Sequence, residues 1–206
     1  MSKTVTRELT VYSFSELSED AKEKVRANYL EWNRYPEDFQ DIMNYDLTEL
    51  FPASDLKLAF EVSFSQSDFM GIYGVLSLVD AVNIVSIEFK NDFTEKEFRC
   101  LKWAVSEYPQ NVELTWNSNY FRKYGIAWNS DLTYNLRYEL ECGNIRGIRY
   151  KTLEKFETKL TGFLEELCKA YVTEAEKYFY ESDDSDVEEW AEDNDYYFTE
   201  NGKIFD

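Results

Sequence analysis

Histidine is absent from this 206-residue chain, and that absence removes a great deal of chemistry. Serine and cysteine nucleophiles are usually activated by an imidazole, which is also the commonest ligand of catalytic metals. A protein that is not an enzyme is therefore the expectation. Glycine is scarce, with seven in all, and neither GIYG at Gly71 to Gly74 nor GNIRG at Gly143 to Gly147 matches a phosphate-cradling loop. No nucleotide and no other cofactor is expected. Three cysteines, Cys100, Cys142 and Cys168, are an odd number without CxxC spacing, which argues against a disulfide framework. There is no apolar run of about 18 residues and no charged-then-apolar leader after Met1. The reading is a cytoplasmic protein without a membrane partner.

Cations are the remaining shortage. Lys and Arg number 22 against 41 Asp and Glu, for a formal net charge of -19. Nucleic-acid affinity comes largely from Lys and Arg displacing counterions from phosphates, and here the long-range field has the wrong sign. A basic protein is the better partner. The local exception, Arg137, Arg146, Arg149, Lys151 and Lys155, reads as a set of internal partners for the acidic surplus, with a small anion site or a contact to an acidic patch on the partner as the alternatives.

What the chain has in quantity is aromatic and aliphatic residues, including 15 Phe, 16 Tyr and 5 Trp, enough to bury one sizeable core. Their spacing predicts an α+β fold, mainly an antiparallel sheet packed against helices, with one long helix near the C-terminus. A first strand is expected over residues 5–12. Ser18 then caps a helix carrying Ala21, Val25, Tyr29 and Trp32, and Pro36 opens a second with Phe39, Met43, Leu47 and Leu50. Leu56, Leu58, Phe60, Val62 and Phe64 alternate as a strand, and residues 70–79 and 82–89 read as further strands in which Gly71 and Gly74 imply bulges or close backbone approach. Thr94 with Glu97, flanked by Phe93 and Phe98, specifies a helix start. Val112, Leu114 and Trp116 alternate as a strand, as do Leu132, Tyr134, Leu136, Tyr138 and Leu140. From about Thr152 to Tyr180 a single stripe runs through Leu153, Phe156, Leu160, Phe163, Leu164, Leu167, Tyr171, Ala175 and Tyr178; it is core, with a homodimer seam as the alternative. The domain reading is residues 1–181 as one α+β domain, with 182–206 packed on it or appended to it.

The most unusual stretch runs from Glu181 to Asp195, where carboxylates crowd together without one basic residue. It lacks the glycine and ligand order of a calcium loop, so no metal site is assigned. A solvated, repulsive face is the plain reading. The functional reading is an electrostatic decoy, in which Asp183, Asp184, Asp186, Glu188, Glu189, Glu192 and Asp193 substitute for DNA phosphates. Trp190, with Tyr196 and Tyr197 beside it, would then be an exposed aromatic anchor. The closing YYFTENGKIFD carries Asn201-Gly202 between apolar residues, the signal of a type I′ hairpin.

Three segments, VYSFSELSEDAKEKV near the start, VSFSQSDFMGIYG in the middle and YYFTENGKIF at the end, resemble small proteins encoded by phages and prophages. The resemblance covers about a fifth of the chain, and its motifs carry no catalytic residue. It implies a phage origin and action in the host cytoplasm. Small acidic phage proteins of this size resemble inhibitors of host defence, among them anti-CRISPR proteins that block Cas9 and DNA mimics that block restriction enzymes. The resulting expectation is an inhibitor that occupies the basic DNA-binding surface of Cas9 or another defence nuclease. The alternative is a phage structural or accessory interaction module.

Overall fold

In the computed structural model, residues 9–61, 69–107, 111–115, 127–128 and 148–205 are described. The architecture is α+β. Its elements in chain order are a 3-10 turn (Phe14–Glu16), α1 (Glu19–Asn33), α2 (Pro36–Leu50), β1 (Asp55–Glu61), β2 (Phe69–Ser77), α3 (Leu78–Glu88), α4 (Glu95–Glu107), β3 (Asn111–Thr115), β4 (Ala127–Trp128), α5 (Tyr150–Tyr180), α6 (Asp184–Asp193), β5 (Tyr197–Phe198) and β6 (Ile204–Phe205). Two compact units result, one formed by Met1–Phe39 with Glu176–Asp206, the other by Gln40–Ala175, and both boundaries fall within helices.

The larger unit holds an antiparallel sheet in the order β1-β2-β3-β4. Alternation in β1 buries Leu56 and Leu58, and in β3 it buries Val112 and Leu114, as a one-sided sheet requires. Because β1 is an edge, its backbone needs other partners. Asn44 of α2 accepts from the Leu58 N–H at 2.8 Å, and the Gln40 side chain donates to the Leu58 carbonyl at 2.8 Å, so α2 occupies part of the exposed ladder. Gly74 satisfies the expectation of close approach: its φ is 118°, and a Cβ there would lie 2.1 Å from the Asp55 carbonyl oxygen.

The run expected as a strand over 82–89 is instead the helix α3. Ser77 caps it, its Oγ accepting from the Val79 N–H at 3.3 Å, and Leu78, Ala81, Val82, Ile84 and Val85 are all buried. A helix buried on most sides shows no single apolar stripe, and its Val and Ile residues imitate a strand. Asp80, on the same helix, is buried but satisfied: it accepts from the Ala53 N–H at 2.8 Å and the Ser54 hydroxyl at 2.6 Å.

Helix α4 begins as the sequence specified. Glu97 accepts from the Thr94 N–H at 2.7 Å, its own N–H reaches Thr94 Oγ1 at 3.3 Å, and the Phe93 and Phe98 rings meet at 4.9 Å. These hydrogen bonds, the Thr94 backbone first, hold the Glu97 carboxyl below its ordinary value. Helix α5 puts Leu153, Phe156, Leu160, Leu164 and Tyr171 in the core, and its Phe156 and Leu153 meet Leu78, Val82, Leu101 and Ala104 from α3 and α4.

The smaller unit has its own core, made of Phe14, Leu17, Ala21, Val25, Tyr29, Val187, Ala191 and Phe198. Of the strand expected over 5–12, residues 9–11 are not in a strand and Tyr12 forms a single antiparallel bridge to Phe198, with residues 1–8 outside the described set. The terminal hairpin forms, with Tyr197 opposite Phe205 and Phe198 opposite Ile204. Its turn differs from type I′, which needs positive φ at both central residues. Gly202 alone is positive, at 80°, and its N–H bonds the Thr199 carbonyl at 2.9 Å while Thr199 and Lys203 pair at 2.8 Å. This is a three-residue loop closed by a glycine bulge. Substitution is excluded on steric grounds as well, since a Cβ on Gly202 would come 2.5 Å from the Ala21 carbonyl oxygen of α1.

The expected strand over 132–140, Trp116, Cys142, Arg137, Arg146 and both glycines of GNIRG lie outside the described residues. Among the described residues no helix is long and apolar enough to cross a membrane.

Candidate interaction surface

The acidic stretch is an ordered helix with two faces. Asp183 sits at the N-cap of α6, and Asp184 and Asp186 fall in the first turn, where carboxylates oppose the positive end of the helix dipole. Val187 and Ala191, four residues apart, are buried in the core of the smaller unit, and Trp190 packs against that core partly buried. The helix was legible in Val187, Trp190 and Ala191 at i, i+3 and i+4, a signal hidden by the density of charge.

Three cations of α1 and its C-cap meet the first turn of α6. Arg26 Nε donates to Asp184 at 2.7 Å and its Nη1 to Glu19 at 2.7 Å, while Lys22 stands 4.0 Å from Asp184. The Arg26 hydrogen bond holds the Asp184 carboxyl below its ordinary value near 3.8, and the same contact, Asp184 first and Glu19 second, raises the Arg26 guanidinium. Arg34 lies 3.8 Å from Asp186, its guanidinium stacked between the Tyr29 ring at 5.3 Å and the Tyr178 ring at 5.0 Å. Lys22 and Arg26, spaced i and i+4 on α1, are the partners that sequence reasoning missed.

These pairs divide the expected site residues. Asp184 and Asp186 remain half-exposed but are engaged internally. Asp183, Glu189, Glu192 and Asp193 are exposed and Glu188 is partly buried, and none of these five has an ion-pair partner among the described residues. Ten residues of α6 span about 15 Å at about 1.5 Å per residue. Glu188, Glu189, Glu192 and Asp193 fall within about 7.5 Å of that length as two adjacent pairs one turn apart. They leave roughly one uncompensated anion per 2 Å, between the ~3.4 Å charge spacing of a single DNA strand and the ~1.7 Å of duplex.

Trp190 is not the exposed anchor expected of it. Its ring packs edge-on against Tyr29 at 5.5 Å, Trp32 at 6.2 Å and Tyr196 at 5.2 Å, and it is half-buried. Exposed aromatics of the same unit include instead Trp32, at 49%, which meets Trp190, together with Tyr35, at 52%, and Tyr197, at 53%.

Elsewhere the described residues offer little chemistry. Groups of three or more metal-ligating side chains are absent among them. Burial pushes the Cys168 thiol up to about 12, which makes it inert at neutral pH. The apolar space bounded by Leu78, Val82, Leu101, Ala104, Val105, Ile148, Leu153 and Phe156 is a seam of about 20 Å³, too small for a ligand. No family model matches the chain, and no curated protein and no solved structure matches it.

The ion pairs at α6 set a pH dependence. A carboxyl held below its unfolded value adds stability that is present above that value and disappears as pH falls through the folded one. Asp184 should therefore help dock α6 at neutral pH, with a contribution that begins to fade only near pH 3.8 and is lost as pH falls through the lower folded value. In thermal melts, Arg26→Gln is expected to lower the midpoint by a degree or two at pH 7, as suits an exposed pair, with the difference from wild type shrinking as the melts are taken below about pH 3.8.

Proposed function

We propose that this protein binds a cationic surface of another protein through the outward face of α6, whose carboxylates substitute there for nucleic-acid phosphates. The observation that carries this reading is the spacing of unpaired anions along a docked helix, a fixed array and not a diffuse cloud. Such an array raises the association rate with a basic groove and releases counterions from both surfaces. The resemblance to small phage proteins narrows the proposed target to a host defence nuclease, with Cas9 and its positive DNA channel as the first candidate. In this reading the protein is a non-catalytic inhibitor acting in the host cytoplasm.

A pull-down from host lysate, followed by mass spectrometry, tests the proposal. The comparison is wild type against Glu189→Gln/Glu192→Gln/Asp193→Asn, with Glu88→Gln/Glu113→Gln/Glu154→Gln as a control that removes three exposed charges from the other unit. The expected result is a nucleic-acid-binding nuclease held by wild type and control but lost by the α6 variant. Its release should be complete as salt rises severalfold from about 0.1 M, where the Debye length is already ~10 Å. The exposed aromatics Trp32, Tyr35 and Tyr197 favour a second reading, an apolar assembly module of the phage particle. Recovery of virion proteins alone, in a complex that tightens with salt, would select it.

A further inference from the structure

Trp32 projects from the last turn of α1 with half its surface in solvent, and its ring continues a row formed by Trp190 and Tyr196. Edge-to-face contacts at 6.2 Å and 5.2 Å fix that row, and the Tyr35 hydroxyl donates to the Trp32 carbonyl at 2.6 Å, which holds the exposed end of α1. Asp193 stands three residues after Trp190, on its side of α6, and Glu31 precedes Trp32. Aromatic faces next to carboxylates select for one chemistry. A second copy of the chain would bring its own surplus of -19 and the same acidic rim, so self-association is opposed. Phosphates are repelled by the same rim. A guanidinium or ammonium on an apolar stem satisfies both parts, the ring taking the cation over its face and the carboxylates taking its N–H donors.

We infer that the Trp32–Trp190–Tyr196 row is a docking site for an arginine- or lysine-bearing segment of a protein partner, with Trp32 the ring that receives the cation. The inference rests on the proposed binding of a cationic surface and adds a contact whose strength is not set by charge alone. The same chemistry already operates inside the protein. Arg34 is held between Tyr29 and Tyr178, and Lys22 lies 5.2 Å from the Phe14 ring. Trp32 is the outward-facing member of this aromatic cluster.

Titration of the full chain with a nona-arginine peptide, followed by calorimetry and by the indole N–H resonance of Trp32, tests the site. Wild type is expected to bind with a shifted Trp32 resonance. Trp32→Ala should weaken binding about three- to fivefold with an unchanged melting midpoint, and Trp32→Phe, which keeps a ring, should recover most of the loss. Should Trp32→Ala bind as wild type does while Glu189→Gln/Glu192→Gln/Asp193→Asn weakens binding, the aromatic site is wrong and the acidic surface stands. Should the charge variant also bind unchanged, or wild type fail to bind, both readings fall. If Trp32→Ala melts early, the resonance decides: a Trp32 signal unmoved by the peptide in wild type overturns the inference.

Discussion

Lysine at Glu188, Glu189, Glu192 and Asp193 together is expected to weaken binding to the cationic partner at least about 100-fold and to leave the fold intact. The fold should tolerate the change because all four carboxylates lack ion-pair partners among the described residues and three of them are exposed. Lys and Glu have similar helix propensity, and Lys in the last turn of α6 faces the negative end of the dipole, which is favourable. Asp183, Asp184 and Asp186, which cap the helix and pair with Lys22, Arg26 and Arg34, are left in place. Binding should fail because attraction becomes like-charge juxtaposition, which costs several kcal/mol where each ~1.4 kcal/mol is tenfold. Surface plasmon resonance against whichever partner the pull-down recovers measures the loss, and circular dichroism checks the helix. Undiminished affinity in a folded variant would remove α6 from the interface.

Much of the architecture was legible because several of its boundaries are specified locally. Ser18, Pro36 and the Thr94–Glu97 box each mark a helix start within a few residues, and the apolar periods of Leu56–Leu58 and Leu153–Leu164 distinguish strand from helix without tertiary information. Where burial surrounds an element, that logic fails. Residues 82–89 carry Val82, Ile84, Val85 and Ile87, β-branched residues that suit a strand in isolation, yet the Ser77 cap and burial on several sides make them helical. The turn at Asn201-Gly202 failed for a related reason: the dipeptide predicts a two-residue loop, but Thr199 and Lys203 pair first and Gly202 is pressed against α1. At the candidate surface, the acidic residues were visible and their inequality was not. The contacts of Arg26 and Arg34 with Asp184 and Asp186 span more than 150 residues of sequence, so no local pattern separates the engaged carboxylates from the free ones. The same distance concealed the role of Trp190, whose neighbours Tyr29 and Trp32 come from α1.

Phe198→Ala is expected to cost about 3–5 kcal/mol, the loss typical of a large side chain deleted from a closed core. Phe198 is fully buried, and its backbone exchanges hydrogen bonds of 2.8 Å and 2.9 Å with Tyr12. The ring belongs to the same buried cluster as Val187 and Ala191 of α6 and as Phe14, Leu17 and Val25, so its removal opens a cavity in the core that holds the acidic helix. Denaturant unfolding should register the loss, and amide exchange from Val187 to Asp193 should accelerate toward the unprotected rate. Phe198→Leu, which refills most of the volume, should cost under about 1.5 kcal/mol. This pair of variants separates order from charge, because neither alters a single ionised group. A cationic receptor that read only net charge would bind Phe198→Ala as tightly as wild type. One that reads anions at fixed spacing must first restore α6, so its affinity should fall in proportion to the population in which the helix is undocked. Equal affinity in the two variants, with exchange confirming that α6 is released in one of them, would reduce the surface to a diffuse acidic cloud and remove the argument from phosphate-like spacing.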